Sequence, residues 1–233
     1  MKRSVTKVIA FDLGDTLVEY EGLPLSWEAH YDQALQRLAA YLGVEATAHH
    51  LALGSEVLRR SNTRIHPREG EVAFASIMRD LANAFGVETP ESELSCARVF
   101  FDAFRQRLRC FPETLESLQK LRERGLLLGV FTDVPYGMPR ELVIEDMKQA
   151  SIHTQFDAIL TSRDTGFRKP VPATLQSLAE ALSCEPCEML YVGNEKKDVE
   201  VARACGCGAV LIDRERRGND WGQDRTIQSL LQI

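Results

Sequence analysis

The chain has 233 residues, of which 44% are hydrophobic and 27% are charged, a composition typical of a globular protein with a sizeable core. Its formal net charge of −6 and the absence of a Lys- and Arg-rich stripe argue against nucleic acid as a partner. The sequence has no run of about 18 apolar residues that would span a membrane. The apolar stretch at residues 8–11 is too short for the apolar region of a signal peptide, so a cytoplasmic location is expected.

The first predicted element is a short buried strand, and a long segment follows it in which no strand is predicted. The strand covers residues 8–11 and leads directly into Asp12. Helical periodicity then fills four segments, at residues 27–42, 48–60, 71–85 and 91–108. We therefore predict an all-helical cap domain over residues 19–109, inserted directly after the first strand.

Beyond this insertion, apolar runs rich in Val, Ile and Leu alternate with amphipathic segments of helical length. The runs lie at residues 126–131, 156–160, 189–192 and 209–212, and the clearest helical segments at 113–124 and 172–182. Short strands that are apolar on both faces, with helices between them, indicate a parallel sheet. The predicted fold class is α/β: a doubly wound, Rossmann-like parallel sheet, formed by a core domain of residues 1–18 and 110–233. Ligands of such sheets bind beyond the carboxyl ends of the strands.

Reactive side chains follow four of the predicted strands at these carboxyl ends. Asp12 follows the first strand, Thr132 and Asp133 follow the second, Lys169 comes after the third, and Asp198 comes after the fourth. Because the strands run parallel, their ends meet at one edge of the sheet. This set of groups suits phosphoryl transfer, in which a carboxylate nucleophile needs a cation to screen its approach and the transferred oxygens need fixed donors. Carboxylates such as Asp12 and Asp198 are ligands that Mg²⁺ prefers, while Thr132 and Lys169 are suited to act as donors.

Four motifs, in their order along the chain, resemble the signatures of the haloacid-dehalogenase-like superfamily. They are Asp-x-x-x-Thr at residues 12–16, Thr at 132, Lys-Pro at 169–170 and Val-Gly-Asn-x-x-x-Asp at 192–198. The flanking sequences FPETLESLQKLRERGLLLGVFTD and FRKPVPATLQSLAEAL are similar to the family as well, and the closing TIQSLLQI resembles its terminal helix. The resemblance covers the core domain, and the cap matches in position and helical type.

The resemblance implies a hydrolase that works through a covalent intermediate on Asp12, with Thr16 orienting the loop of the first motif. The residues implied to bind the phosphoryl group are Thr132, Asp133 and Lys169. The residues implied to hold a Mg²⁺ cofactor are Asp12, Gly14 through its carbonyl, Asn194 and Asp198. The expected activity is that of a Mg²⁺-dependent phosphatase acting on a small phosphorylated substrate.

Two positions depart from the family pattern. Gly14 stands where phosphatases of this superfamily carry a second Asp, which acts as acid and base, and Asn194 stands where Asp is common. Loss of positioned acid–base help typically lowers a rate by about 10²–10⁴-fold, and an amide binds Mg²⁺ without contributing charge. The departures keep two alternatives open: a metal-independent 2-haloacid dehalogenase-type hydrolase, and a catalytically weak binding or regulatory member of the fold.

Two arginine-rich stretches receive different interpretations. RRSNTRIHPRE, residues 59–69, joins two predicted cap helices, and its arginines are candidates for gripping an anionic group of the substrate. A solvated loop between helices is the alternative. RERRG, residues 214–218, is predicted to be a solvated loop.

The cysteines include two close pairs, Cys184 with Cys187 and Cys205 with Cys207. In a cytoplasmic chain of this size, thiols without disulfide bonds are the expected state. A four-thiolate zinc site is the alternative, although one intervening residue in the second pair is fewer than zinc motifs generally have.

Overall fold

The computed structural model describes residues 5–105 and 108–233. Residues 1–4 of the predicted core segment, and residues 106–107 of the predicted helix 91–108, lie outside the described residues. The strands are β1 (Val8–Phe11), β2 (Val18–Tyr20), β3 (Leu108–Cys110), β4 (Leu127–Thr132), β5 (Ala158–Thr161), β6 (Met189–Gly193), β7 (Gly208–Ile212) and β8 (Arg225–Ile227). The α-helices are α1 (Tyr31–Tyr41), α2 (Ala48–Ser61), α3 (Phe74–Phe85), α4 (Glu93–Arg105), α5 (Thr114–Glu123), α6 (Arg140–Gln149), α7 (Ser162–Thr165), α8 (Ala173–Ala181) and α9 (Lys196–Cys205).

Six of these strands form one parallel sheet in the order β5-β4-β1-β6-β7-β8. The central strand β1 pairs with β4 on one side and with β6 on the other, so Phe11 lies opposite both Val130 and Val192. The segments that follow these three strands therefore start at the same edge of the sheet. The predicted parallel sheet is confirmed.

The two faces of the sheet are covered by different helices. Alternate residues of a strand point to opposite faces, and in β1 the side chains of Ile9 and Phe11 join a core cluster with α5, α6 and the insertion. Val8 and Ala10 join a second cluster with α8 and α9. Burial on both faces explains why the strand sequence is apolar throughout, and it confirms the doubly wound arrangement.

The insertion between β2 and β3 is helical, as predicted, and consists of α1 to α4 with their connections. Its helices turn their large apolar side chains inward, and Leu35, Phe74, Phe100 and Phe101 are fully buried. The rings of Phe74 and Phe101 lie 5.0 Å apart between centroids, within the range of favourable aromatic contacts. The exact division into a core of residues 1–18 and 110–233 and a cap of residues 19–109 stays a prediction.

The prediction that residues 19–109 contain no strand was wrong at both ends. The strands β2 and β3 form an antiparallel ribbon in which Val18 pairs with Cys110 and Tyr20 pairs with Leu108. Each strand has three residues, and the ribbon contains no third strand among the described residues, although Val18 also forms an isolated bridge with Gly14. Neither strand therefore shows an alternating pattern long enough to recognise. The ribbon forms the base of the insertion, where the chain leaves the core and returns to it.

The expectation of a terminal helix was also wrong. Residues 225–227 add β8 to the sheet edge, where Ile212 pairs with Ile227. A single 3₁₀ turn, Leu230–Gln232, follows, and Ser229 accepts a hydrogen bond from the Leu231 N–H group at its start. Among the described residues, no helix is both long and apolar enough to cross a membrane.

Candidate active site

Asp12 lies at the carboxyl end of β1 and is held from three directions. Its main-chain N–H donates to the Val192 carbonyl at 2.9 Å, which fixes the start of the loop. The residue is only 7% exposed; Oδ1 accepts from Lys169 Nζ at 2.6 Å, and Oδ2 accepts from Thr16 Oγ1 at 3.3 Å. Burial raises the pKa of Asp12 to about 6; the nearby Lys169 ammonium opposes this rise, and the Asp198 carboxylate adds to it.

Lys169 places its ammonium group between two buried carboxylates. Nζ donates to Oδ1 of Asp12 and to Oδ1 of Asp198, both at 2.6 Å, and to the Tyr191 hydroxyl at 3.2 Å. Although burial by itself lowers the pKa of Lys169, the two carboxylates raise it well above the ordinary value. Lys169 is therefore a permanent cation at this edge of the sheet, and all three of its protons are used.

Asp198 is fixed at the start of α9. Its Oδ2 accepts from the main-chain N–H groups of Asn194 at 3.0 Å and Glu195 at 2.8 Å, the hydrogen-bond pattern of a capped helix start. Gly193 is required directly before this turn, because a Cβ there would overlap the Asp198 side chain. Both carboxylate oxygens of Asp198 thus have partners before any ligand is considered.

The Thr16 hydroxyl faces two acceptors. It lies 3.3 Å from Oδ2 of Asp12 and 3.2 Å from Oδ1 of Asn194. A hydroxyl has one proton to donate, so one of these two oxygens keeps a lone pair in this direction. The carbonyl of Gly14, in the same loop, accepts no hydrogen bond from the described residues.

Several donors beside Asp12 have no partner among the described residues. They are the main-chain N–H groups of Leu13, Gly14 and Asp133 and the hydroxyl of Thr132. Leu13 and Thr132 are mostly buried, with exposures of 4% and 7%. The Thr132 hydroxyl itself is not fully enclosed, so a ligand or water can reach it. The donors come from the last residue of β4 and from the loops after β1 and β4, two neighbouring strands, and they match the needs of a bound anion.

Asp133 connects the loop after β4 to two basic residues. Its Oδ1 accepts from the Lys169 main-chain N–H at 3.0 Å and its Oδ2 accepts from Lys197 Nζ at 3.0 Å. Burial alone would raise the pKa of Asp133, but the positive charges of Lys197, Lys169 and Arg168 outweigh it and lower the pKa. Asp133 therefore stays ionised and aligns these groups.

A cleft of about 170 Å³ lies between this edge of the sheet and the helical insertion. On the insertion side it is lined by apolar residues, among them Leu23 and Trp27, and by Arg64. Nη1 of Arg64 crosses to Oε1 of Glu195 at 2.6 Å. Of the arginines in residues 59–69, Arg64 alone is among the residues that line this cleft.

The prediction of a solvated loop was wrong for Arg214. Its guanidinium carbon lies 3.7 Å from the centre of the Phe111 ring, and its Nη2 forms an ion pair with Glu113 at 2.9 Å. The same side chain donates to the carbonyls of Asp15 at 3.1 Å and Thr16 at 2.9 Å. Arg214 thereby ties the loop after β7 to the loop that carries Asp12, a contact for which the sequence has no signal.

The four cysteines that form two close pairs in the sequence lie away from this edge, next to Lys7 and the start of the sheet. Within the described residues they form no disulfide. No three or more His, Cys, Asp or Glu side chains in the described part of the chain are grouped so that they could hold a metal ion. The alternative of a four-thiolate zinc site therefore gains no support.

A parallel sheet, a helical insertion after its first strand and an Asp–Lys–Asp cluster beneath that insertion define a capped α/β enzyme. The sequence profile of the family described as "Haloacid dehalogenase-like hydrolase" matches residues 56–212. A phosphoserine phosphatase of Thermus thermophilus is 30% identical over 92% of this chain and 91% of its own length. The chain belongs to the haloacid dehalogenase-like hydrolase family and is a hydrolase.

Solved structures agree on the fold without separating its activities. A phosphatase of this family from Thermococcus onnurineus superimposes with a TM-score of 0.65 at 24% identity, covering 97% of this chain and 94% of that one. A 2-haloacid dehalogenase from Pseudomonas syringae also has a TM-score of 0.65, at 22% identity, covering 98% of this chain and 96% of that one. The choice between phosphate and haloacid chemistry therefore depends on the site.

Proposed function

We propose that the protein is a phosphatase that hydrolyses a small phosphate ester through an aspartyl phosphate on Asp12. The observation that carries the proposal is the set of unpaired donors, the N–H groups of Leu13, Gly14 and Asp133 and the Thr132 hydroxyl, around a buried carboxylate. A phosphoryl group has three oxygens that need such donors as charge redistributes over them. The carboxylate of a 2-haloacid has two oxygens, fewer than a phosphoryl group offers to these four donors. The phosphatase name of the Thermus relative supports the same choice.

In the proposed reaction, a carboxylate oxygen of Asp12 attacks phosphorus and the bond from phosphorus to the ester oxygen breaks. The leaving alkoxide takes up a proton, and a water molecule then hydrolyses the aspartyl phosphate to inorganic phosphate and the free carboxylate. Lys169 holds Asp12 in position and screens its charge, while Thr16 orients the other carboxylate oxygen. Gly14 has no side chain to protonate the leaving group, so esters with good leaving groups should react best.

The oxygen atoms at this site are suitable ligands for Mg²⁺, but they carry less negative charge than a set with Asp in place of Asn194. Candidate ligands are Oδ2 of Asp12, Oδ1 of Asn194 and the Gly14 carbonyl, since the first two share one Thr16 proton and the third accepts none from the described residues. When bound, Mg²⁺ would neutralise charge on the carboxylate and the phosphoryl oxygens. Asp198 would reach the ion directly only by giving up a bond to Lys169 or to the α9 start. We therefore expect its part in metal binding to be mainly electrostatic.

The cleft favours a small substrate with a polar or anionic leaving group. Its volume of about 170 Å³ is below the roughly 300–1,000 Å³ of pockets for drug-sized ligands. Arg64 uses one of its five N–H donors on Glu195 and lines the cleft, so it is placed to bind a carboxylate or a second anionic group of the substrate.

A 2-haloacid dehalogenase-type activity is the second candidate. Gly14 and Asn194 favour it, because that chemistry needs neither a second carboxylic acid nor a metal ion. The same two residues also favour a catalytically weak binding member of the fold.

The deciding experiment is hydrolysis of p-nitrophenyl phosphate, with and without Mg²⁺, by the protein and by its Asp12→Asn variant. We expect metal-dependent release of nitrophenol that the variant lacks. Release equal in both proteins would mean a contaminating activity and would overturn the proposal. If nitrophenol is not released, halide release from 2-haloacids tests the second candidate.

A further inference from the structure

Besides the β2–β3 ribbon, the helical insertion has a second connection to the core, next to Lys169. Gly70, between α2 and α3, pairs with Phe167 in an antiparallel bridge. Beside it, the Arg168 N–H donates to the Glu69 carbonyl at 2.7 Å. The insertion therefore contributes main chain to the turn that precedes Lys169.

The next residue of this connection, Glu71, carries a buried carboxylate that accepts four hydrogen bonds. Its side chain is 1% exposed. Oε1 accepts from the Val72 N–H at 2.9 Å and from Arg68 Nη2 at 3.3 Å, while Oε2 accepts from Ser162 Oγ at 2.6 Å and from Arg168 Nη1. A buried carboxylate with this many partners is held in one position, and it holds its partners in turn.

Two of these partners hold the loop after β4 at a single residue, Val134. Ser162 Oγ, which donates to Glu71, accepts from the Val134 N–H at 2.9 Å. Arg168 Nη1, which also bonds Glu71, donates to the Val134 carbonyl at 2.7 Å. Val134 follows Asp133 directly, so the Glu71 network fixes both main-chain polar groups of the residue next to Thr132 and Asp133, which supply phosphoryl donors.

The same insertion segment packs tightly on the far end of that loop. Gly137 has a φ of +63°, and a Cβ there would collide with the main-chain oxygen of Val72. The contact leaves little room for the loop after β4 to shift independently of residues 70–74.

We propose that Glu71 is a positioning residue. Through Ser162 and Arg168, it aligns the end of β4, which carries Thr132, with the turn that carries Lys169. Phosphate is therefore bound only when the insertion is docked on the core. The proposal deepens the phosphatase function proposed above and rests on it. It assigns a role in the site to a residue that lies outside the four motifs and belongs to the cap.

The test compares Glu71→Gln with Glu88→Gln, a matched change at an exposed cap position. Glutamine keeps the shape but replaces one acceptor oxygen by an NH₂ group that faces donors, and it removes the nearer of the two carboxylates that pair with Arg168. Below the unfolding temperature, we expect Glu71→Gln to weaken inhibition by inorganic phosphate and to lower kcat/KM for p-nitrophenyl phosphate, each by about 10- to 100-fold. Glu88→Gln should have the same phosphate inhibition and the same kcat/KM as the parent protein. A lowered Tm with unchanged phosphate inhibition and kinetics would make Glu71 merely structural and overturn the proposal.

Two further measurements separate this proposal from the phosphatase proposal. In a double-mutant cycle, the effects of Glu71→Gln and Arg168→Met on phosphate inhibition should be less than additive, because both break one network; additive effects would contradict the role of Arg168. Crystal structures of the parent and Glu71→Gln proteins need no activity. We expect the loop of Val134 and the Lys169 ammonium to be displaced in the variant, and an unchanged arrangement would overturn the positioning role even if the phosphatase proposal holds.

Discussion

Asp12→Asn should inactivate the protein and at the same time stabilise its fold at alkaline pH. Asp12 is 7% exposed, and burial raises its pKa to about 6 from an ordinary value of 3.8. In the unfolded chain the carboxyl group ionises near its ordinary pKa, so above pH 7 it is charged in both states. Only in the folded state is this charge buried, and its burial lowers the free energy of unfolding. Asparagine has nearly the same shape without the charge, and its carbonyl still accepts from Lys169.

The size of the effect follows from the change in pKa. A rise of about two units at 1.36 kcal/mol per unit corresponds to about 3 kcal/mol. The sign is that of a carboxyl group with a raised folded-state pKa: the penalty is complete above the folded value, diminishes as the pH falls through 6, and is absent below the unfolded value. At pH 5 about half of it should remain.

The assay is urea unfolding at pH 8 and pH 5 in the presence of EDTA, followed by circular dichroism. Asp80→Asn, a change at an exposed position of α3, is the control and should have little effect at either pH. We expect the free energy of unfolding of Asp12→Asn to exceed that of the parent protein by about 3 kcal/mol at pH 8 and by about half as much at pH 5. A variant that is less stable than the parent protein at pH 8, or a difference that does not change with pH, would refute the reasoning.

Three further changes test other parts of the structure. Arg64→Ala should raise KM about tenfold for small phosphate esters that carry a carboxylate, with little change for p-nitrophenyl phosphate; equal KM changes for both would contradict its role. Gly137→Ala, at a φ of +63° against the Val72 carbonyl, should lower the free energy of unfolding by about 1–3 kcal/mol or more, and an unchanged urea midpoint would contradict the packing. Asn194→Asp should lower the Mg²⁺ concentration for half-maximal activity about tenfold, since ligand charge sets affinity; an unchanged value would place Asn194 outside the metal site.

The strands of the core and the grouping of its reactive residues were predictable from the sequence. Buried parallel strands are apolar on both faces, and their carboxyl ends meet at one edge whatever the details of packing. For this reason Asp12, Lys169 and Asp198 were expected together, and the structure has Lys169 within 2.6 Å of both carboxylates. Helical periodicity was likewise sufficient to predict the four helices of the insertion.

Short strands and side-chain partners were not predictable. The β2–β3 ribbon has three residues in each strand, too few for a periodic pattern, and β8 acquires its conformation by pairing with β7. Arg214 was assigned to a solvated loop because charge-rich sequences usually lie there, whereas the Phe111 ring and two carbonyls of the first loop hold it.

The sequence by itself thus determined which chemical groups stand at the carboxyl edge, because local hydrophobic patterns indicate parallel strands and the ends of parallel strands meet at one edge. Only the tertiary structure decided what surrounds them. Glu71 is 91 residues from Ser162 and 97 from Arg168 along the chain, and Arg64 is 131 from Glu195. Such contacts depend on how the insertion docks on the core and on the direction of each side chain. Neither is encoded in a local pattern, because both result from packing the whole chain at once.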